Sequence, residues 1–145
     1  MRKTFLTAAT AALLTGALTP ATPALADDPP PPPPPALHHI RYTVSADGPI
    51  WARIYYRDTE PVMFSDYSHN PFQFSPRADV DLGPGQPWVL ETMLADPEMW
   101  AMVTVQSGEA PNFPTPNFGC VLEVDGVVVK TGSGPKGALC SLRNW

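Results

Sequence analysis

From His38 onward, apolar and polar residues alternate with a period of two rather than recurring every three to four positions. In "HIRYTVSA", Ile40, Tyr42 and Val44 share one face while Arg41, Thr43 and Ser45 share the other, which is the pattern of a half-buried strand. After the turn Asp47-Gly48-Pro49, "IWARIYYRD" sets Ala52, Ile54 and Tyr56 against Trp51, Arg53, Tyr55 and Arg57, and a second strand paired with the first is expected. "PWVLETML" alternates Trp88, Leu90, Thr92 and Leu94 with Val89, Glu91 and Met93. "MWAMVTVQS" alternates Ala101, Val103 and Val105 with Trp100, Met102, Thr104 and Gln106, and both segments read as inner strands. "CVLEV" turns at Asp125-Gly126 into "VVVKT", a strong short-range hairpin signal. About seven strands at this spacing predict an all-β fold, an antiparallel two-sheet β-sandwich.

Composition supports that reading and sets its scale. A chain of 145 residues buries one modest core, and its 20 prolines and 10 glycines punctuate it too heavily for long helices. The sandwich is expected over residues 38–145. It is preceded at 27–37 by a linker in which Pro29 to Pro35 favour an extended polyproline II spacer.

Residues 1–26 read as a secretory signal peptide. Arg2 and Lys3 precede the apolar run Phe5 to Leu18, and "ALA" at Ala24 to Ala26 offers a cleavage site. The run is too short for a spanning anchor, which needs roughly 20 apolar residues, and nothing after it could span a membrane. Export to the cell envelope or the medium is therefore expected. Removing Arg2 and Lys3 lowers the Lys and Arg count from 9 to 7 against 14 acids, a net charge of −7. Such a chain repels nucleic-acid phosphates and has no basic cluster to displace their counterions.

Only Cys120 and Cys140 can carry cysteine chemistry. A structural zinc site needs four ligands at set spacing, whereas His38, His39 and His69 lie far from the cysteines in sequence. A redox pair is usually Cys-x-x-Cys at a helix start, unlike these two. In an exported chain the economical reading is a disulfide, Cys120–Cys140.

Other catalytic motifs also fall short. "TGSGPKGAL" has Ala138 where a phosphate-binding loop needs Lys, and it reads as a hairpin loop. "ADVDLGPG" offers Asp79 and Asp81 without the further oxygen ligands of a calcium loop and reads as a solvated turn, and Asp96-Pro97-Glu98 likewise reads as a turn. No Gly-x-Ser-x-Gly elbow occurs. No cofactor, metal or catalytic residue is assigned. The alternative to a non-enzymatic protein is a small secreted hydrolase on the 63–76 loop, built from His69, Asp66 and Ser65 or Ser68.

The succession "IYYRD", "PWVLETML", "VTVQ", "GCVLEVDGVVV" and a closing Cys140 resembles the mycobacterial small membrane protein (MmpS) family, accessory proteins of the large MmpL lipid and siderophore exporters. The resemblance spans most of residues 40–143, with "GC" followed by "VDG" and the final cysteine as its most specific part. It implies an immunoglobulin-like sandwich outside the inner membrane, with Cys120 and Cys140 on the family's two cysteines. It also implies an MmpL-type transporter as partner. Members of that family keep an N-terminal transmembrane helix, so the leader-like segment here points to a secreted relative. The expected function is binding of an envelope protein or lipid-like ligand. Candidate contacts are Phe64, Tyr67, Phe72, Phe74, Phe113 and Phe118 in aromatic loops, and Trp51, Arg53, Tyr55 and Arg57 on an outward strand face.

Overall fold

A computed structural model of the chain describes residues 29–107 and 116–144. The leader-like segment and Phe113 lie outside these residues. Pro34–Trp145 forms one compact unit. Of the other unit, Pro29–Pro33 is described, and it is exposed and without regular secondary structure.

Among the described residues eight strands build the sandwich: β1 (His38–Ala46), β2 (Ile50–Tyr56), β3 (Arg77–Leu82), β4 (Trp88–Leu94), β5 (Met102–Ser107), β6 (Phe118–Val124), β7 (Val127–Gly134) and β8 (Gly137–Ser141). One antiparallel sheet runs β4-β1-β6-β7 and the other β3-β2-β5-β8. Two short helices, α1 (Phe64–His69) and α2 (Pro97–Trp100), and a 3-10 turn at Pro71–Phe74 sit in the connections.

The alternating pattern becomes the core. Ile40, Tyr42 and Val44 of β1, with Phe118, Cys120 and Leu122 of β6, face Ala52 and Ile54 of β2 and Val103 and Val105 of β5, all buried. Each larger apolar side chain removed from water contributes roughly 1.5–3 kcal/mol before entropy is counted.

Several expectations are corrected. First, β1 and β2 do not pair: the Asp47-Gly48-Pro49 turn carries the chain from one sheet to the other, so the two apolar faces meet across the core. Asp47 fixes this corner, donating its N–H to the Asn117 carbonyl (3.1 Å) and accepting from Asn117 N–H (2.7 Å). Second, "RADVDL" is a strand rather than a solvated turn, so eight strands form where about seven were expected. Its alternation is easy to miss because the outward positions include Asp79 and Asp81. β4, read as an inner strand, lies at a sheet edge. Third, Trp100 belongs to α2 and is buried, instead of lying on the outer face of a strand. Asp96 caps that helix by accepting from Met99 N–H (3.1 Å), and Pro97 occupies its first turn, where a missing N–H costs nothing.

Asp125 and Gly126 do turn β6 into β7, both with positive φ (52° and 80°), as a two-residue hairpin requires. The Asp125 carboxylate also accepts from His39 N–H (2.9 Å) and meets His38 Nδ1 at 2.7 Å, clamping the start of β1. The disulfide Cys120–Cys140 joins β6 of one sheet to β8 of the other across a Cα separation of 6.0 Å. Beside it the strands approach so closely that a Cβ on Gly132 would lie 2.6 Å from the Leu139 carbonyl oxygen, so only glycine fits there. The "TGSGPKGAL" segment is thus not a simple hairpin loop, because its two arms, β7 and β8, belong to different sheets.

Candidate functional site

The crossover from β2 to β3, residues 57–76, closes one end of the sandwich. Arg57 continues the β2 pairing for one more residue by donating its N–H to the Met102 carbonyl (3.1 Å). The chain then leaves the sheet. Glu60 fastens it to the β4–α2 connection, accepting from the N–H groups of Ala95 (3.0 Å) and Asp96 (2.6 Å), and Thr92 Oγ1 donates to the Asp58 carbonyl (3.2 Å). Beneath, the Tyr42 hydroxyl donates to the Arg57 carbonyl (2.8 Å) and accepts from Met102 N–H (3.3 Å). Burial pushes the Tyr42 phenol far above its ordinary range, so the hydroxyl stays protonated and serves as a bridge.

Above this bridge lies a cluster of rings. The Arg57 guanidinium is 4.3 Å from the Tyr67 ring centroid and 5.3 Å from that of Trp100. Tyr67 meets Trp100 edge-on at 5.7 Å, and Phe64, one helical turn before Tyr67, stacks on Trp100 at 6.4 Å. Arg143 covers Phe64 at 5.1 Å and donates to Met99 Sδ (3.1 Å). Tyr67 therefore closes the core, and Phe64 remains half bare.

The candidate contacts divide accordingly. Phe72 stands in solvent and Phe64 is exposed. Phe74, two residues along the same 3-10 turn, points the other way and is buried. Phe118 is fully buried, because it shares the inward face of β6 with Cys120 and Leu122; it is a core residue, not a contact. Arg57 likewise leaves the outward row. Trp51, Arg53 and Tyr55 do share the outer face of β2, with Arg53 Cζ 5.2 Å from the Trp51 ring centroid, but the strand ends at Tyr56 and Arg57 turns under the ring cluster. No alternation could have shown this, since the period-two rule lapses where the strand stops.

The residues considered for hydrolysis do not converge. His69 Nδ1 meets the Ser65 carbonyl oxygen at 2.6 Å, Ser68 Oγ donates to the same carbonyl (2.9 Å), and Asp66 accepts from Met63 N–H (3.3 Å). Each side chain serves the short helix it belongs to, and among the described residues no hydrogen bond joins His69 to a hydroxyl or to Asp66. No group of three or more His, Cys, Asp or Glu side chains is placed to hold a metal ion among the described residues. Nor is any helix there long and apolar enough to cross a membrane.

What the crossover does present is apolar surface. Val62, Met63, Phe64 and Phe72 are 94%, 59%, 51% and 83% exposed, all within residues 62–72. Val62 and Met63 were not singled out from the sequence, although "PVMF" is an apolar run immediately after a proline, outside any alternating segment.

Comparison with known proteins places the fold. A family described as the Rv2576c beta-sandwich domain matches residues 42–140. Over 108 residues the chain is 32% identical to the uncharacterized protein Rv2576c of Mycobacterium tuberculosis (strain ATCC 25618 / H37Rv), covering 74% of this chain and 68% of that protein. The same identity and coverage hold for uncharacterized protein Mb2606c of Mycobacterium bovis.

Proposed function

The chain belongs to the Rv2576c beta-sandwich family, and from that premise we propose that it is a non-enzymatic recognition domain of the cell envelope or secreted space. It docks on an apolar partner, a protein or a lipid-like ligand, through the β2–β3 crossover. The observation that carries this reading is the bare apolar side chains of Val62, Met63, Phe64 and Phe72 in one crossover. Single exposed apolar residues are ordinary, but several together in one connection mark a surface that another molecule covers. The ring cluster and the Glu60 clamp hold that connection in place, so little ordering entropy is lost on binding.

Export rests on the leader-like residues 1–26 and on the disulfide, since such bonds persist in oxidising compartments. A transport-accessory role beside an MmpL-type exporter follows from the resemblance of "GCVLEVDGVVV" and Cys140 to the MmpS pattern, and it specifies the partner further. The test is binding of the purified domain to neutral phospholipid vesicles and to detergent-solubilised envelope proteins, compared with a Val62→Ser, Phe72→Ser double variant. Capture lost without loss of folding supports the reading; equal capture by the variant refutes it.

A further inference from the structure

The bare crossover is anionic as well as apolar. Residues 58–76 hold three acids, Asp58, Glu60 and Asp66, and no Lys or Arg. Among the described residues none of the three is in an ion pair. The arginine before them, Arg57, is buried under the ring cluster, and the one after, Arg77, is paired with Asp79 at 3.0 Å.

Two of these acids open onto a hollow of about 470 Å³ walled by Glu60, Val62, Asp66, His69, Gln73 and Phe74. Val62 belongs both to this wall and to the bare apolar run, so the two surfaces are continuous. Each Glu60 oxygen accepts one backbone N–H and Asp66 accepts one in all, which leaves lone pairs on both carboxylates. His69 Nδ1 faces the Ser65 carbonyl, which can only accept, so the neutral ring carries its proton there and Nε2 is a further acceptor. The wall thus joins apolar surface to acceptors and negative charge and holds no Lys or Arg; Arg143 lies over Phe64, outside it.

A surface that is apolar and anionic at once is complementary to a group that is apolar and cationic at once. Resting on the docking role of the crossover, we propose that its occupant is a basic amphipathic segment of a protein, one of whose Lys or Arg side chains enters this hollow. The methylene stem lies along Val62 and Phe74, and the charged head donates to Asp66 and to the remaining lone pairs of Glu60. Apolar residues on the same face of the segment cover Met63 and Phe72. A phospholipid fits less well, because its amine arrives with a phosphate that the three acids repel, whereas a peptide cation comes without one.

Fluorescence anisotropy tests this with two labelled peptides of one amphipathic pattern, leucines on one face and either lysines or glutamates on the other, titrated with the purified protein. The leucine–lysine peptide is expected to bind and the leucine–glutamate peptide is not. Asp66→Asn, whose amide oxygen can still accept from Met63 N–H, weakens the lysine peptide roughly tenfold, about 1.4 kcal/mol. Asp81→Asn, which removes the same charge from β3, leaves it unchanged. Circular dichroism confirms that each variant is folded. Equal loss in the two variants reports only the general attraction of an acidic protein for a cation and overturns the proposal. So does a lysine peptide that fails to bind, whether or not phosphatidylcholine vesicles are captured in its place. If both peptides bind alike and the Val62→Ser, Phe72→Ser variant weakens both, the apolar docking surface stands and the cation alone is refuted. If that variant leaves lysine-peptide binding intact, docking at the crossover fails as well.

Discussion

The Arg57 guanidinium lies 4.3 Å from the centroid of the Tyr67 ring, and this contact fastens the β2–β3 crossover onto the end of the sandwich. A buried cation against an aromatic face contributes about 2 kcal/mol when water is excluded. Tyr67→Leu, which keeps apolar bulk but loses the ring face, is expected to lower stability by about 2 kcal/mol in urea unfolding. An unchanged midpoint contradicts this assignment.

Tyr42→Phe removes the hydroxyl that links Arg57 to Met102 and leaves two buried backbone groups short of a partner. The expected loss is about 1–3 kcal/mol, the range for an unsatisfied buried polar group. The same variant should retain the core, since the ring is kept. Urea unfolding with an unaltered dependence on denaturant checks both points.

The disulfide fastens the two sheets at the β6–β8 contact, and its 20-residue separation gives a chain-entropy stabilisation of roughly 3 kcal/mol. Both sulfurs should resist alkylation until the protein is reduced. Cys120→Ser is expected to cost about 2–5 kcal/mol. Free thiols in the native protein, counted by mass spectrometry after alkylation, would contradict the staple.

Asp125 supplies a pH-dependent term. The hydrogen bond with His38, then that from His39 N–H, holds its carboxyl below the usual carboxylate range. A carboxyl depressed in the folded state stabilises at pH values above its unfolded pKa, and this stabilisation fades as pH falls through the folded value. Asp125→Asn keeps a residue that tolerates positive φ while removing the charge. The variant should be less stable than the parent at neutral pH, with the two thermal midpoints converging on acidification below the carboxylate range. A constant gap from pH 7 to pH 2 would contradict the assignment.

Much of the sandwich could be read from the chain because burial on one face writes itself as alternation: Ile40, Tyr42 and Val44, and likewise Val103 and Val105, are where the pattern places them. Which strands pair is not written that way. β1 and β2 bury the same kind of face whether they share a sheet or oppose each other, and it is at the Asp47–Asn117 corner that the chain passes from one sheet to the other. The surface was harder still. Phe72 and Phe74 are two positions apart in one 3-10 turn, and the identity of the ring says nothing about which one meets water. Arg57 reads as an exposed cation until Tyr67 and Trp100, brought in by two short helices, close around it.

In the proposed function, the bare apolar side chains of the crossover meet another molecule in the envelope or outside it. The most direct measurement places a photo-activatable phenylalanine analogue at Phe72 in the exported protein and irradiates intact cells. A discrete adduct is expected at this position, lost when Val62→Ser and Met63→Ser are added and absent when the analogue replaces Thr131 on β7. Adduct formation at Phe72 no greater than at Thr131, in a protein that is folded and exported, would contradict it.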